Sequence, residues 1–424
     1  MMIDTEKENV SPRQMNDIIP GQNNRVLFYQ TGINGLGHLS RVITLAIALR
    51  RVDPSTQILV LSELPDTRLA REAQLPCLQI ASLATLFKGG PWEGIEAKRR
   101  LSLWHALLDA TMKTFCPTIV IHDTYVVAPV KKAARAYGAM QVGILRQSWW
   151  SEKMRTQSKE DPWRDLDLVL VPHSRDEYPD AAIPGLAPER IVYTGSLVRR
   201  TCSELMPALL RERYGLQNDE FVIVATNGGG NQPPKTPSGE PRPQDKFLQT
   251  IIELADLLRA HRPQKLPVHI ILITGPLTPQ ELRLITSKTM DGVTLSTYEY
   301  EPYLPDLLAA AQAVICRGGY NTMNEVIAIG VPTIAIPVMH IFDDQEQRIQ
   351  WAMTRYPHLQ TASLDAADIA RRLFAMMEQP RWQFSPVTPE ADQPLQGKIA
   401  AAQTILDTAR RLVEPALTNK GQEV

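Results

Sequence analysis

The sequence predicts an α/β protein with two doubly wound parallel sheets, on three observations. Short apolar runs rich in Val and Ile recur along the chain, mostly continuous rather than alternating, as strands covered on both faces must be. Longer helical stretches separate them, giving the strand–helix–strand rhythm of parallel sheets. The rhythm then restarts. A strand and glycine-rich loop begin at Arg25, and a second strand and glycine-rich loop begin at Phe221.

In chain order the strand runs are RVLFYQ (25–30), QILVLS (57–62), TIVIHD (118–123), DLVLVP (167–172), FVIVAT (221–226), VHIILIT (268–274), AVIC (313–316) and PTIAIP (332–337). Helical stretches lie at Leu39–Arg51, Arg99–Phe115, Lys246–His261 and Thr322–Ile329. SLVRRTCSELMPALLRERYGLQNDE reads as a connector followed by an amphipathic helix, so the domain boundary falls near 199–205. The expected organisation is a polar, disordered tail over 1–24, a first domain over 25–200 and a second over 201–390. A C-terminal helix within 391–424 can pack back on the first domain. NQPPKTPSGEPRPQ (231–244) is a long irregular loop.

A chain of 424 residues is too long for one ordinary core. With 44% apolar and 21% charged residues it reads as soluble and globular, and a net charge of −1 supplies no field for nucleic acid. The four cysteines show no CxxC spacing, which argues against metal or disulfide use and fits a cytoplasmic setting. The first residues lack the apolar core of a signal peptide, and no run approaches the ~20 apolar residues of a spanning helix. Peripheral contact with a membrane stays open, and the oligomeric state is not legible.

Two loops carry the chemistry. In RGGYNTMNEVIAIGVPTIAIP (317–337) a strand ends, Gly318 and Gly319 permit a sharp turn and close approach of a ligand, and Asn321 or Thr322 can cap the helix that follows. A helix start behind a glycine turn suits a phosphate, and the Glu325 carboxylate one turn in suits the two hydroxyls of a ribose. Thr322-x-x-Glu325 is equally a capping box that needs no ligand. In TGINGLGHLSRVITLAIAL (31–49) the glycines Gly32, Gly35 and Gly37 have the wrong spacing for a dinucleotide loop, but the loop puts His38 at a helix start, where the dipole favours neutral imidazole. A structural histidine is the plainer reading of that loop taken alone.

Taken together, the two loops resemble those of the GT-B glycosyltransferases, in particular the family 28 branch, which includes the peptidoglycan enzyme that adds N-acetylglucosamine to a lipid-linked precursor. The resemblance rests on Gly35-Leu36-Gly37-His38…Arg41, Gly318-Gly319-Tyr320-Asn321-Thr322…Glu325 and Asp344-Gln345…Arg348, and covers roughly 25–375. It implies two Rossmann-like domains facing across a cleft. The second would bind a nucleotide-diphosphate sugar, most simply a uridine diphosphate sugar, with no further cofactor. It would put the diphosphate at Gly318, Gly319, Asn321 and Thr322, the ribose at Glu325, the base near Tyr300 and Leu304, and the sugar hydroxyls at Asp344 and Gln345. Gly228 and Gly229 in TNGGGNQ would approach from the other side, and Arg317 would help stabilise the leaving diphosphate. Many related motifs have Asn where this chain has Arg348, which leaves the sugar open.

The same resemblance makes the first domain the acceptor side, with His38 as general base and Asp123, at the end of a strand, as its orienting partner; His122 is the neighbouring alternative. Gly35, Gly37, Arg41, Trp149 and Trp150 would lie on that side. No metal is implied, because Asp165-Leu166-Asp167 leads into a strand rather than following one. SLATLFKGGPWEGIEAKRRLSLWHALL (82–108) mixes Trp92 and Trp104 with basic residues, as a lipid-facing patch would, though an ordinary amphipathic helix with core tryptophans is the plainer reading. The expected activity is inverting transfer to a hydroxyl of a small-molecule or lipid-linked acceptor. A sugar-nucleotide epimerase and a non-catalytic nucleotide-sugar binder are the alternatives.

Overall fold

The computed structural model describes residues 23–32, 36–82, 96–147, 163–179, 181–229, 243–278, 288–338, 343–378 and 397–413. The expected tail, most of the loop at 231–244, Gly35, Trp92, Trp149 and Trp150 lie outside these residues.

The first half contains β1 (Arg25–Gln30), α1 (Gly37–Val52), β2 (Gln57–Ser62), α2 (Arg68–Glu72), β3 (Cys77–Gln79), α3 (Ala97–Phe115), β4 (Ile119–Asp123), α4 (Ala128–Ala136), β5 (Met140–Ile144), β6 (Leu168–Val171) and β7 (Ile191–Tyr193). α5 (Pro207–Arg213) leads into the second half. That half contains β8 (Phe221–Thr226), α6 (Pro243–His261), β9 (Val268–Ile273), β10 (Lys288–Met290), β11 (Val293–Tyr298), α7 (Leu304–Ala309), β12 (Ala313–Arg317), α8 (Tyr320–Ile329), β13 (Thr333–Ile336), α9 (Gln345–Met353), β14 (Leu359–Thr361) and α10 (Ala366–Met377); α11 (Gly397–Val413) closes the described chain. All eight predicted runs form strands, with ends within a residue of expectation.

Each half holds a seven-stranded sheet, ordered β3-β2-β1-β4-β5-β6-β7 and β10-β11-β9-β8-β12-β13-β14. Every pairing is parallel except β10 with β11. Such sheets need cover on both faces, which explains why β1, β4, β8 and β9 read as unbroken apolar runs. On the first sheet one face packs Val26, Phe28 and Ile121 against Leu39, Val42 and Leu49 of α1; the other packs Leu27, Tyr29 and Val120 against Trp104 and Leu108 of α3. Trp104 is therefore core, and does not belong to a lipid-facing surface patch. Among the described residues no helix is long and apolar enough to cross a membrane.

Strand order reverses between β1 and β4 in one sheet and between β8 and β12 in the other. Ligands of open α/β sheets bind beyond the carboxyl ends of strands at such points. Gly32 and Asp123 mark that place in the first half, Asn227, Gly228 and Arg317 in the second.

Candidate active site

A cavity of about 440 Å³ lies between the halves, lined by residues that follow the strand ends of both sheets. Its walls include the sequence-predicted Gly37, His38, Arg41, Gly228, Gly229, Tyr300, Leu304, Arg317, Gly319, Asn321, Thr322, Glu325 and Gln345.

On the first-half wall, α1 delivers His38 and Arg41 one turn apart, and β4 ends at Asp123. The fully buried Asp123 carboxylate accepts from His38 Nδ1 at 2.6 Å and from Arg41 at 2.6 Å (Nε) and 2.8 Å (Nη2). Arg41 also donates to Thr124 Oγ1 at 2.7 Å. Burial disfavours the ionised carboxyl, but the charge of Arg41 and the His38 hydrogen bond outweigh it and hold Asp123 below the usual range. His38 is lowered by burial, against the pull of Asp123, and Arg41 and Arg146 add to the lowering. A neutral imidazole whose Nδ1–H is given to Asp123 carries its lone pair on Nε2, the state a general base requires. His122 stands with its back to this chemistry: it is fully buried and does not line the cavity.

Glu63 at the end of β2 organises the loop after β1, a role no local pattern signals. Its carboxylate accepts from Tyr29 Oη at 2.6 Å, Thr31 Oγ1 at 2.9 Å and Gly32 N at 3.3 Å. Gly32 has φ +101°, and a Cβ there would lie 3.6 Å from the His38 ring.

The second-half wall is built around α8. Its N-cap is Gly319, and no side chain bonds the cap. The capping box expected at Thr322 and Glu325 is not formed, because the helix begins at Tyr320 and Thr322 already lies inside it. Nor does Asn321 cap: its Nδ2 donates across the cleft to Gly37 O at 2.7 Å. α1, whose N-cap Leu36 also lacks a side-chain bond, starts on the opposite wall. Two helix starts without side-chain caps therefore meet the cavity, each with N–H groups suited to anions. The two glycines differ in purpose. A Cβ on Gly318 would fall 2.7 Å from Ile349 Cδ1, so Gly318 admits α9, whereas Gly319 faces open space.

Arg317 sits beside this turn with a 3.4 Å contact to Asn227 Oδ1, and burial, against the pull of the Asp343 charge, pushes its guanidinium down to about 10. Glu325 is buried and pairs with Arg199 from the connector, at 2.7 Å to Nε. Tyr300 and Leu304 line the far end, but Tyr300 also donates to Glu72 of the first half at 2.9 Å, with Arg68 over its ring. Arg68 in turn reaches Glu299.

One expectation needs correction. Asp344 is exposed and caps α9 by accepting from Gln347 N at 3.0 Å, so it is absent from the wall; Asp343, one residue earlier, lines it instead. Asp165 and Asp167 are structural: Asp165 pairs with Lys131 and Arg135, and Asp167 accepts from Gln141 N at 2.7 Å. Among the described residues no group of three or more His, Cys, Asp or Glu is gathered to hold a metal.

Two facing parallel sheets with a cavity between them are the fold of the GT-B class. Residues 242–350 match the glycosyltransferase family 28 C-terminal domain. It is similar to two enzymes named UDP-N-acetylglucosamine–N-acetylmuramyl-(pentapeptide) pyrophosphoryl-undecaprenol N-acetylglucosamine transferase. That of Acetivibrio thermocellus is 25% identical over 39% of this chain and 40% of its own length. That of an Exiguobacterium species is 24% identical over 74% of this chain and 79% of its own. The fold is shared with Acinetobacter baumannii MurG, with a TM-score of 0.52, 15% identity and coverage of 92% of this chain and 99% of that one. It is shared equally with a UDP-N-acetylglucosamine 2-epimerase from Listeria monocytogenes, with a TM-score of 0.54, 12% identity and coverage of 93% and 98%.

Proposed function

We propose that this chain transfers a sugar from a uridine diphosphate sugar to a hydroxyl of a small-molecule or lipid-linked acceptor, with inversion and without a metal ion. The observation that carries the reading is the His38–Asp123–Arg41 cluster facing, across one cavity, a helix start without a side-chain cap and the partly buried Arg317 beside it.

Laid along the cavity, the donor has its base against Tyr300 and Leu304, its ribose hydroxyls at Glu325 and its diphosphate at Gly319, Thr322 and the glycine turn of Gly228 and Gly229. Arg317 and the α8 N–H groups stabilise charge on the departing diphosphate, the work a divalent cation does elsewhere. Gly37 and Arg41 belong to the acceptor side. His38 Nε2 takes the acceptor proton as the oxygen attacks the anomeric carbon from the face opposite the leaving group. Asp123 keeps the proton on Nδ1 and offsets the imidazolium that forms. The relatives named above act on a UDP-sugar and a lipid-linked acceptor, which supports the same substrate classes here, and with them peripheral contact at a cytoplasmic membrane face.

Epimerisation is the second reading, because an epimerase shares the fold. The named sequence relatives favour transfer. The experiment is calorimetry with a panel of nucleotide sugars on the wild type and Glu325→Ala, followed by product analysis. Tight binding of one uridine diphosphate sugar, lost in the variant, with glycoside formed on an acceptor, supports transfer. Conversion of the donor to its epimer without an acceptor defeats it.

A further inference from the structure

Asp343 is an acidic residue of the cavity wall that the sequence pattern does not single out. Its Oδ1 accepts from Arg146 at 2.8 Å and from Arg348 Nη2 at 2.6 Å, and its Oδ2 accepts from Arg348 Nη1 at 3.2 Å. Arg146 follows β5 in the first half, 197 residues away in sequence, so this ion pair crosses the cleft. The side chains of Arg146 and Asp343 are only 12% and 10% exposed, yet both residues line the cavity. Burial works against the Asp343 charge, but the two guanidiniums hold its carboxyl well below the ordinary range.

The pair's position along the cavity follows from Tyr320. That ring is approached by Arg41 at 5.7 Å, Arg146 at 5.8 Å and Arg348 at 6.0 Å, and its hydroxyl donates to Pro172 O of the first half. Arg41 is the residue that clamps Asp123 behind His38, so Asp343 and Arg146 stand beside the base. The proposed ribose and base positions have other neighbours: Glu325 pairs with Arg199, and Tyr300 meets Glu72 and Arg68. A sugar attached to a diphosphate at the glycine turn would meet this pair.

We propose that Asp343 and Arg146 together read the hydroxyls of the donor sugar, so that the sugar subsite is built from both halves of the chain. The inference rests on the reading of the cavity as a nucleotide-sugar site. The chemistry suits the task. A carboxylate offers about four acceptor positions, and three are taken by guanidinium N–H groups; an arginine has five N–H donors, and Arg146 gives one to Asp343. Among the described residues the pair therefore keeps an acceptor position next to unused donors, which matches a hydroxyl that both gives and takes a hydrogen bond. Arg348 fixes the carboxylate and is itself held by Gly318 O at 2.7 Å. Asp344 is spent on the α9 cap and cannot serve.

The test compares uridine diphosphate with three uridine diphosphate sugars that differ in single hydroxyl configurations or substituents, by calorimetry on the wild type, Asp343→Asn and Arg146→Ala. Both variants keep affinity for uridine diphosphate within about twofold. They lose at least about tenfold on the preferred sugar nucleotide, as expected for hydrogen bonds to charged groups, and the preference among the three sugars narrows. Retained binding of uridine diphosphate certifies the fold of each variant; Arg146→Lys covers the case in which Asp343→Asn does not fold. A preference unchanged in Arg146→Ala overturns the proposal, as does equal loss of uridine diphosphate and its sugars. Failure of the wild type to bind uridine diphosphate at all withdraws the donor site itself, and the proposal with it.

Discussion

Replacing Asp123 by Asn separates the base from its orientation. Three N–H groups converge on the carboxylate: Arg41 Nε on Oδ1, and Arg41 Nη2 and His38 Nδ1 on Oδ2. An amide offers one oxygen and one NH2, so one of the two positions must turn donor against donor. With the NH2 at the Oδ1 position, the buried Arg41 loses its Nε partner, at about 3–5 kcal/mol for breaking a buried pair. With the NH2 at the Oδ2 position, Arg41 keeps the Nε bond and loses the Nη2 bond to residue 123, but Nη2 still has Thr124 Oγ1 as acceptor, and His38 must accept on Nδ1. The second arrangement is the cheaper. It moves the imidazole proton to Nε2, where the acceptor's proton has to go. A wrong tautomer in a comparable histidine–aspartate pair costs roughly 10^4-fold in kcat, so a loss of roughly 10^3- to 10^4-fold is expected here, or about 4–5.5 kcal/mol of barrier. Glu325 and Arg199 are untouched, so the donor KM stays within about threefold on the same argument. Steady-state kinetics with the donor identified by calorimetry, beside a thermal melt, makes the measurement. A folded Asp123→Asn enzyme with kcat within about threefold of wild type refutes both the tautomer argument and His38 as base.

His38 is lowered below its ordinary value near 6.5, and its neutral form is the active one, so kcat/KM holds its plateau down through pH 6.5 and falls only below it; a pH–rate profile whose acid limb lies above 6.5 contradicts this. Gly319→Ala meets no neighbour within 4 Å and has ordinary backbone angles, so the variant melts like wild type yet binds uridine diphosphate at least about tenfold more weakly, because the new methyl occupies the phosphate's approach. Gly229→Ala is the reverse case. Its Cβ would strike the backbone nitrogen of Leu36 in the opposite half, so turnover drops while the melting temperature moves little, the clash being relieved by opening the cleft. Treatment with EDTA leaves turnover unchanged if Arg317 and the α8 N–H groups carry the diphosphate charge; a loss restored by Mg²⁺ would falsify that account.

The parts of the fold that could be read from the chain are those whose physics is local. β1, β4, β8 and β9 are apolar on both faces and announce themselves. β5 does not, because Gln141 and Gly143 interrupt MQVGI; a Cβ on Gly143 would lie 2.5 Å from the Trp163 ring, so the glycine there answers to a distant side chain. β3, β7, β10 and β14 have three residues each, too few for any periodicity. β11, with Thr and Ser among its residues, reads as part of the loop before α7. In the site, His38, Arg317 and Glu325 stand beside glycine turns and are visible as motifs. Arg146, Arg199, Glu63 and Asp343 are not, since each is defined by a partner 31 to 197 residues away. A pairing across two sheets leaves no trace in spacing. The one available hint was Arg348 itself, a cation at a position where related motifs carry a neutral residue, which calls for a buried carboxylate nearby.

α11 completes the hydrophobic core of a half it does not follow in sequence. Ala401, Ala402, Ile405 and Leu406 are buried against the same cluster as Leu39, Val42 and Leu49 of α1, and Lys398 bonds the connector at Arg199 O and Glu204. During synthesis, therefore, the first sheet emerges from the ribosome with one strip of its helical cover still unmade. About 200 residues of the second half must be added before that cover exists, roughly 10 to 40 s at 5–20 residues per second. For that interval the outer face of α1 exposes apolar surface that the last described helix later covers, and a nascent chain stalled anywhere in the second half carries an incomplete first half.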